Sequence, residues 1–206
     1  MNREFSQRIG RIMTTQTILS LRKSRRTAFI RACEKAGSFA AVSPKLQALI
    51  VRAERELAVA RVAIYLDIDG VLLNNATGKP PVGVGWFLRS LRRQMLAGTD
   101  VYWLTTHCSG DAATAVAYLE PYIKKPSLRA VLHAIQPTTW SVKTQGIDFN
   151  RPFVWIDDKP LGMADKATMQ QHDTVDSLVL VDVVKHPFAL LRLAITLRKL
   201  VQRAAQ

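Results

Sequence analysis

The stretch IYLDIDGVLL, residues 64–73, sets two carboxylates, Asp67 and Asp69, one residue apart at the end of an apolar run, with Gly70 directly behind them. The segment leading in, RVAIYLD, is short, apolar and rich in strand-forming residues, which reads as a buried strand. Burying one carboxylate without a partner is costly, and two side by side also repel each other. A chain that ends its most apolar strand this way needs a positive charge at that point.

Working outward from this strand, short apolar runs alternate with helical stretches. VGWFLRSLRRQML reads as a helix, TDVYWLTT as a strand and DAATAVAYLEPYI as a helix. RAVLHAI reads as a further strand, PFVWIDD as a strand and ADKATMQQH as a helix. SLVLVDV reads as a strand and HPFALLRLAITLRKLVQ as a closing helix. Strands alternating with helices predict an α/β fold, a Rossmann-like parallel sheet flanked by helices, over residues 61–206.

Residues 1–60 have a different texture and read as a basic helical extension. SLRKSRRTAFIRACEKAG carries helix formers up to a stop at Gly37. SPKLQALIVRAERELAVA opens with Ser43 as N-cap and Pro44 at the first helical position. Leu46, Leu49, Ile50, Leu57 and Val59 then form an apolar stripe.

The 206 residues are 48% apolar, which is globular rather than disordered composition. No apolar run approaches the ~20 residues of a membrane span, and the N-terminus has no signal-peptide h-region. Two cysteines, Cys33 and Cys108, cannot build a disulfide framework or a four-cysteine zinc site, so a cytoplasmic, reducing location is expected. The formal charge is +13, and residues 1–61 hold 13 Lys+Arg against 4 Asp+Glu. Such a basic arm suggests an anionic partner, nucleic acid among them, with Arg22, Lys23, Arg25 and Arg26 as the candidate contacts. The sequence does not specify an oligomeric state.

In an open parallel α/β sheet, ligands bind beyond the carboxyl ends of the strands. Asp67 and Asp69 end one strand, Thr105 and Thr106 a second, Asp157 and Asp158 a third. If these strands are neighbours, four carboxylates converge with a hydroxyl, and a hard divalent cation with oxygen ligands is the natural neutraliser; Mg²⁺ is the usual choice beside phosphate. An EF-hand loop is excluded, because glycine comes at position four of the acidic loop and Gly78, not a glutamate, stands at twelve.

The ordered set is DIDGVL at 67–72, the Thr in WLTT, the lone Lys143 and the acidic pair in VWIDD. It resembles the haloacid dehalogenase superfamily of phosphohydrolases over roughly residues 62–185. WLTTHC, QPTTW, KTQGIDF and FVWIDDKP also look like a group of uncharacterised bacterial members. The resemblance implies phosphoryl transfer through an aspartyl-phosphate, with Asp67 as nucleophile and Asp69 as general acid and base. Mg²⁺ would be bound by Asp67, the backbone carbonyl of Asp69, and Asp157 with or without Asp158. Thr105 would hold a phosphoryl oxygen, with Thr106 its rival, and Lys143 would balance charge, with Lys124 and Lys125 also lying in that interval. Gly70, Thr106 and His107 are the residues expected to face substrate.

Many members of that superfamily carry an inserted cap domain. Here 35 residues separate Asp69 from Thr105 and 37 separate Thr105 from Lys143, which the predicted elements fill. An uncapped site suits a nucleotide or a nucleic-acid terminal phosphate. The expected function is therefore a Mg²⁺-dependent phosphatase. The alternative is a nucleic-acid-binding protein whose hydrolase-like domain is catalytically degenerate.

Overall fold

The computed structural model describes residues 3–21, 23–59, 62–159 and 161–206. The chain divides into two units, Met1–Ala60 and Arg61–Gln206. Among the described residues the first unit holds α1 (Arg3–Ile12), α2 (Gln16–Leu19), α3 (Lys23–Ala36) and α4 (Pro44–Val59). Gly37 ends α3 at φ 73, and its N–H donates to Cys33 O at 3.1 Å. That left-handed turn carries no steric cost in glycine. Ser43 O accepts the Gln47 N–H at 2.9 Å, which places Ser43 at the N-cap and Pro44 at the first helical position.

The first unit has its own core. Phe5, Ile9, Ile12, Ile18, Phe29, Cys33, Val42, Ile50 and Ala53 are buried together, with Leu46, Leu49 and Leu57 packed against them. The side chain of Val59 lies outside the described residues. Arg8 ties α1 to α4 through Glu54, its Nη2 donating at 2.8 Å, and its guanidinium sits 4.1 Å from the Phe39 ring centre.

The second unit is built on β1 (Ala63–Leu66), β2 (Asp100–Trp103), β3 (Phe153–Asp157) and β4 (Leu178–Leu180). All pairings are parallel, in the order β2-β1-β3-β4. This is a Rossmann-like α/β sheet flanked by α5 (Val84–Leu96), α6 (Ala112–Leu119), α7 (Pro126–His133), α8 (Met163–Gln171) and α9 (Ala189–Ala204). β1 and β3 are buried at every position, as strands covered on both faces must be. Ala63, Tyr65, Phe153 and Trp155 share one cluster with Met169 of α8. The alternate residues Ile64, Leu66, Val154 and Ile156 point to the opposite face. There α5 and α9 pack on each other, α5 against β2 and α9 against β3.

One sequence expectation is corrected. RAVLHAI is not a strand: residues 126–133 form α7, opened by Pro126 and burying Leu128, Val131 and Leu132. Spacings of three and four put those side chains on one helical face, and a short apolar run alone does not separate the two conformations. Beyond α7, Gln136 makes a single bridge to the β2 edge, donating to Val101 O at 2.9 Å and accepting from the Trp103 N–H at 2.8 Å. Among the described residues no helix is long and apolar enough to cross a membrane.

Candidate active site at the carboxyl edge of the sheet

The chain runs from β1 to β2 on one side and then crosses back to β3 on the other side of β1. That makes the β1/β3 carboxyl edge a topological switch point, where open α/β sheets bind ligands. Leu66 is level with Ile156, so Asp67 follows one strand directly beside Asp157 on the other. Both are almost fully buried, at 6% and 2% exposure.

Lys143 supplies the positive charge the strand end requires. It sits on a 3-10 turn, Lys143–Gly146, and its Nζ donates to Asp67 Oδ2 at 2.6 Å and Asp157 Oδ2 at 2.5 Å. The turn is held in place: Thr144 N–H donates to Asp165 Oδ1 at 3.0 Å, and Gln145 Oε1 accepts from Ser141 N–H at 3.0 Å and Val142 N–H at 3.2 Å. Asp67 Oδ1 also accepts the Ile68 N–H at 2.7 Å, and Asp157 Oδ2 the Trp155 indole N–H at 3.0 Å. Burial pushes the Asp67 carboxyl above its ordinary range; Lys143 pulls it back and Asp157 adds to the rise. Burial works against the Lys143 ammonium, but Asp67 and Asp157 outweigh it and hold the amine above its ordinary value.

Asp158 completes an acidic group with Asp67 and Asp157, each offering one oxygen, all within 4.8 Å of one another. Asp158 Oδ2 accepts from Asn75 Nδ2 at 2.9 Å, while Asp158 Oδ1 is buried with no partner among the described residues. Burial, then the Asp157 charge, raises the Asp158 carboxyl. Three carboxylates against one ammonium leave two negative charges, an orphaned buried oxygen and an all-oxygen donor set. That chemistry fits a hard divalent cation. Gly70, at φ 75, lies so close that a Cβ there would stand 2.0 Å from Asp158 Oδ2, so only glycine fits. A cleft lined by Gly70, Asp158, Asp182, Val183, Val184 and Lys185 opens beside the acids.

The Asp69 carboxylate is not part of the three-acid group. Its Oδ2 is 2.9 Å from His107 Nε2, and its Oδ1 accepts from the Tyr118 hydroxyl at 3.4 Å. Burial, then the Asp69 charge, raises the Tyr118 phenol, which keeps it a donor. Thr105 is fully buried and Thr106 exposed. Leu104 N–H donates to Leu66 O at 2.9 Å, carrying Thr105 to the same sheet edge as Asp67. His107, expected from sequence to face substrate, has its ring committed to Asp69 and stacked on Tyr118.

Sequence reasoning missed Trp155, Asn75 and Tyr118. Trp155 had a signal, since a residue two before Asp157 on the same strand shares its face. Asn75 and Tyr118 had none, being brought in by a loop and a helix. In the first unit Arg25, Arg31, Lys35, Arg52 and Arg55 are exposed and Arg26 half-buried. Arg22 and the side chain of Lys23 lie outside the described residues. Comparison of the chain with protein-family models, curated proteins and solved structures finds no match.

Proposed function

We propose that residues 61–206 form a phosphohydrolase of the haloacid dehalogenase type that transfers a phosphoryl group to Asp67 and then to water. The observation that carries this reading is the Lys143 ammonium joining Asp67 and Asp157 across two parallel strands. A largely desolvated lysine between two acids at a switch point is what an anionic-substrate site needs to keep its nucleophile ordered. In this reading an Asp67 oxygen attacks phosphorus and the ester oxygen departs with a proton from Asp69. Asp69, now a carboxylate, then takes a proton from water as that water attacks phosphorus, releasing inorganic phosphate and free Asp67. Thr105 holds a phosphoryl oxygen. Asp67, Asp157 and Asp158 would hold Mg²⁺, which when bound shields the phosphate charge from the attacking carboxylate.

The intervals between these residues support an uncapped site. They hold a loop bridged between Asn74 and Lys79, then α5 and β2, and next α6 and α7. A nucleotide or nucleic-acid terminal phosphate is the substrate class that suits it. The test is a Mg²⁺-supplemented screen of small phosphoesters, nucleotides and 5′- or 3′-phosphorylated oligonucleotides. Release of phosphate that disappears in Asp67→Asn is expected; silence across all three classes, or equal release by Asp67→Asn, overturns the reading.

A second reading rests on the exposed cations of the first unit. Arg25, Arg31 and Lys35 on α3, with Arg52 and Arg55 on α4, present basic side chains to solvent. They would engage nucleic-acid phosphates, with or without turnover in the second unit. Fluorescence anisotropy with labelled oligonucleotides across a salt series tests it.

A further inference from the structure

We infer that His107 and Tyr118 are positioning residues, a clamp that fixes the orientation of the Asp69 side chain, which as the carboxylic acid gives its proton to the leaving group and as the carboxylate takes one from water; this rests on the phosphohydrolase reading above. Both oxygens of Asp69 are engaged. His107 Nε2 lies 2.9 Å from Oδ2, within hydrogen-bond distance, and the Tyr118 hydroxyl donates to Oδ1 at 3.4 Å. The two rings brace each other, with centroids 3.8 Å apart and planes 17° from parallel. His107 is in turn anchored through its backbone: Thr114 Oγ1 on α6 donates to His107 O at 2.5 Å. Tyr118 rides on the same helix, whose first turn is capped by Asp111 accepting from Ala113 N–H at 2.8 Å.

The arrangement answers a problem posed by exposure. The Asp69 side chain is 37% exposed, unlike the buried Asp67 and Asp157. A partly exposed carboxylate samples several rotamers unless it is held. Holding it by both oxygens keeps it in one orientation, which is the positional contribution to proton transfer. A partly exposed His–Asp pair adds little to stability, so the clamp's effect belongs in kcat.

Leaving-group chemistry reads this directly. p-Nitrophenolate leaves without a proton, whereas the alkoxide of glycerol 2-phosphate requires one. His107→Ala should lower kcat for glycerol 2-phosphate by about tenfold or more, part of what a general acid contributes. It should leave the p-nitrophenolate burst from p-nitrophenyl phosphate, which reads the first step alone, and both KM values close to wild type. His107→Gln, which keeps a donor, should recover much of the loss, and Tyr118→Phe, which keeps the ring stack, should show the same selectivity to a smaller extent. Equal losses in glycerol 2-phosphate turnover and in the p-nitrophenolate burst, a raised KM with unchanged kcat, or a Gln variant no better than Ala would overturn the clamp. A wild-type chain that hydrolyses neither ester, nor any nucleotide or phosphorylated oligonucleotide, overturns the phosphohydrolase reading instead. The clamp then stands or falls on the His107 Nε2 proton in ¹⁵N-resolved NMR. A slowly exchanging resonance that Asp69→Ala removes supports it, and its absence from the wild-type spectrum overturns it.

Discussion

The Lys143 ammonium donates to Asp67 Oδ2 at 2.6 Å, although 76 positions of sequence separate the two residues. The lysine side chain is 19% exposed and the aspartate 9%, so the pair is largely desolvated. Removing one member of such a pair is expensive, because the other charge stays buried without compensation.

Lys143→Met in the presence of chelator should therefore lose about 3 kcal/mol or more of stability, since Asp67 and Asp157 then face each other unneutralised. Denaturant unfolding measures this. Adding Mg²⁺ should recover part of the loss and bind more tightly than to the parent, while phosphoester turnover falls about 10²-fold or more. Unaltered stability in chelator would show that the pair contributes nothing net.

The raised Asp67 carboxyl gives the pH dependence a definite sign. The folded state holds that proton more tightly than the unfolded chain. The stabilisation is thus fully present below the ordinary carboxylate range and is lost as pH rises through the elevated value. In chelator, Asp67→Asn should flatten the parent's decline over that window and be the more stable protein above it. Parallel curves for the two proteins would contradict the assignment.

Mg²⁺ should raise the melting temperature of the parent, because it binds only the folded acid cluster. Asp157→Ala should abolish the response, and its chelated form should lose one of the repelling carboxylates. An unchanged response would put the cation elsewhere.

Gly70→Ala places a methyl 2.0 Å from Asp158 Oδ2 and demands φ 75 of a residue with a Cβ. Backbone strain of this kind costs roughly 1–3 kcal/mol. Asp158 must also move, so calorimetry should show weaker Mg²⁺ binding together with a lower melting temperature. Retention of both would mean that the loop yields.

Replacing Arg25, Arg31 and Lys35 with glutamine should reduce the salt slope of oligonucleotide binding by up to about three units, alike across sequences. Hydrolysis of p-nitrophenyl phosphate should be unaffected, because Asp67 and its partners belong to the other unit. Salt-insensitive binding by the intact chain would leave these cations as a solvated face.

The amino-acid sequence by itself determined the α/β alternation, the parallel sheet and the acids at its carboxyl edge. Those features follow from local chemistry: β-branched runs end in polar residues, a helix opens at Ser43-Pro44, and Gly37 stops another. Even so, RAVLHAI misled, because four or five apolar residues fit a helical face as well as a strand. The tertiary structure alone decided which strands adjoin, and hence that Asp67 meets Asp157. It decided that Lys143, rather than Lys124 or Lys125, reaches both acids, and that Asp69 turns away toward His107 and Tyr118. Local propensity acts over a few residues, whereas a desolvated charge is stabilised by whichever opposite charge the packed chain brings within about 3 Å, where the interaction is strong enough to offset burial.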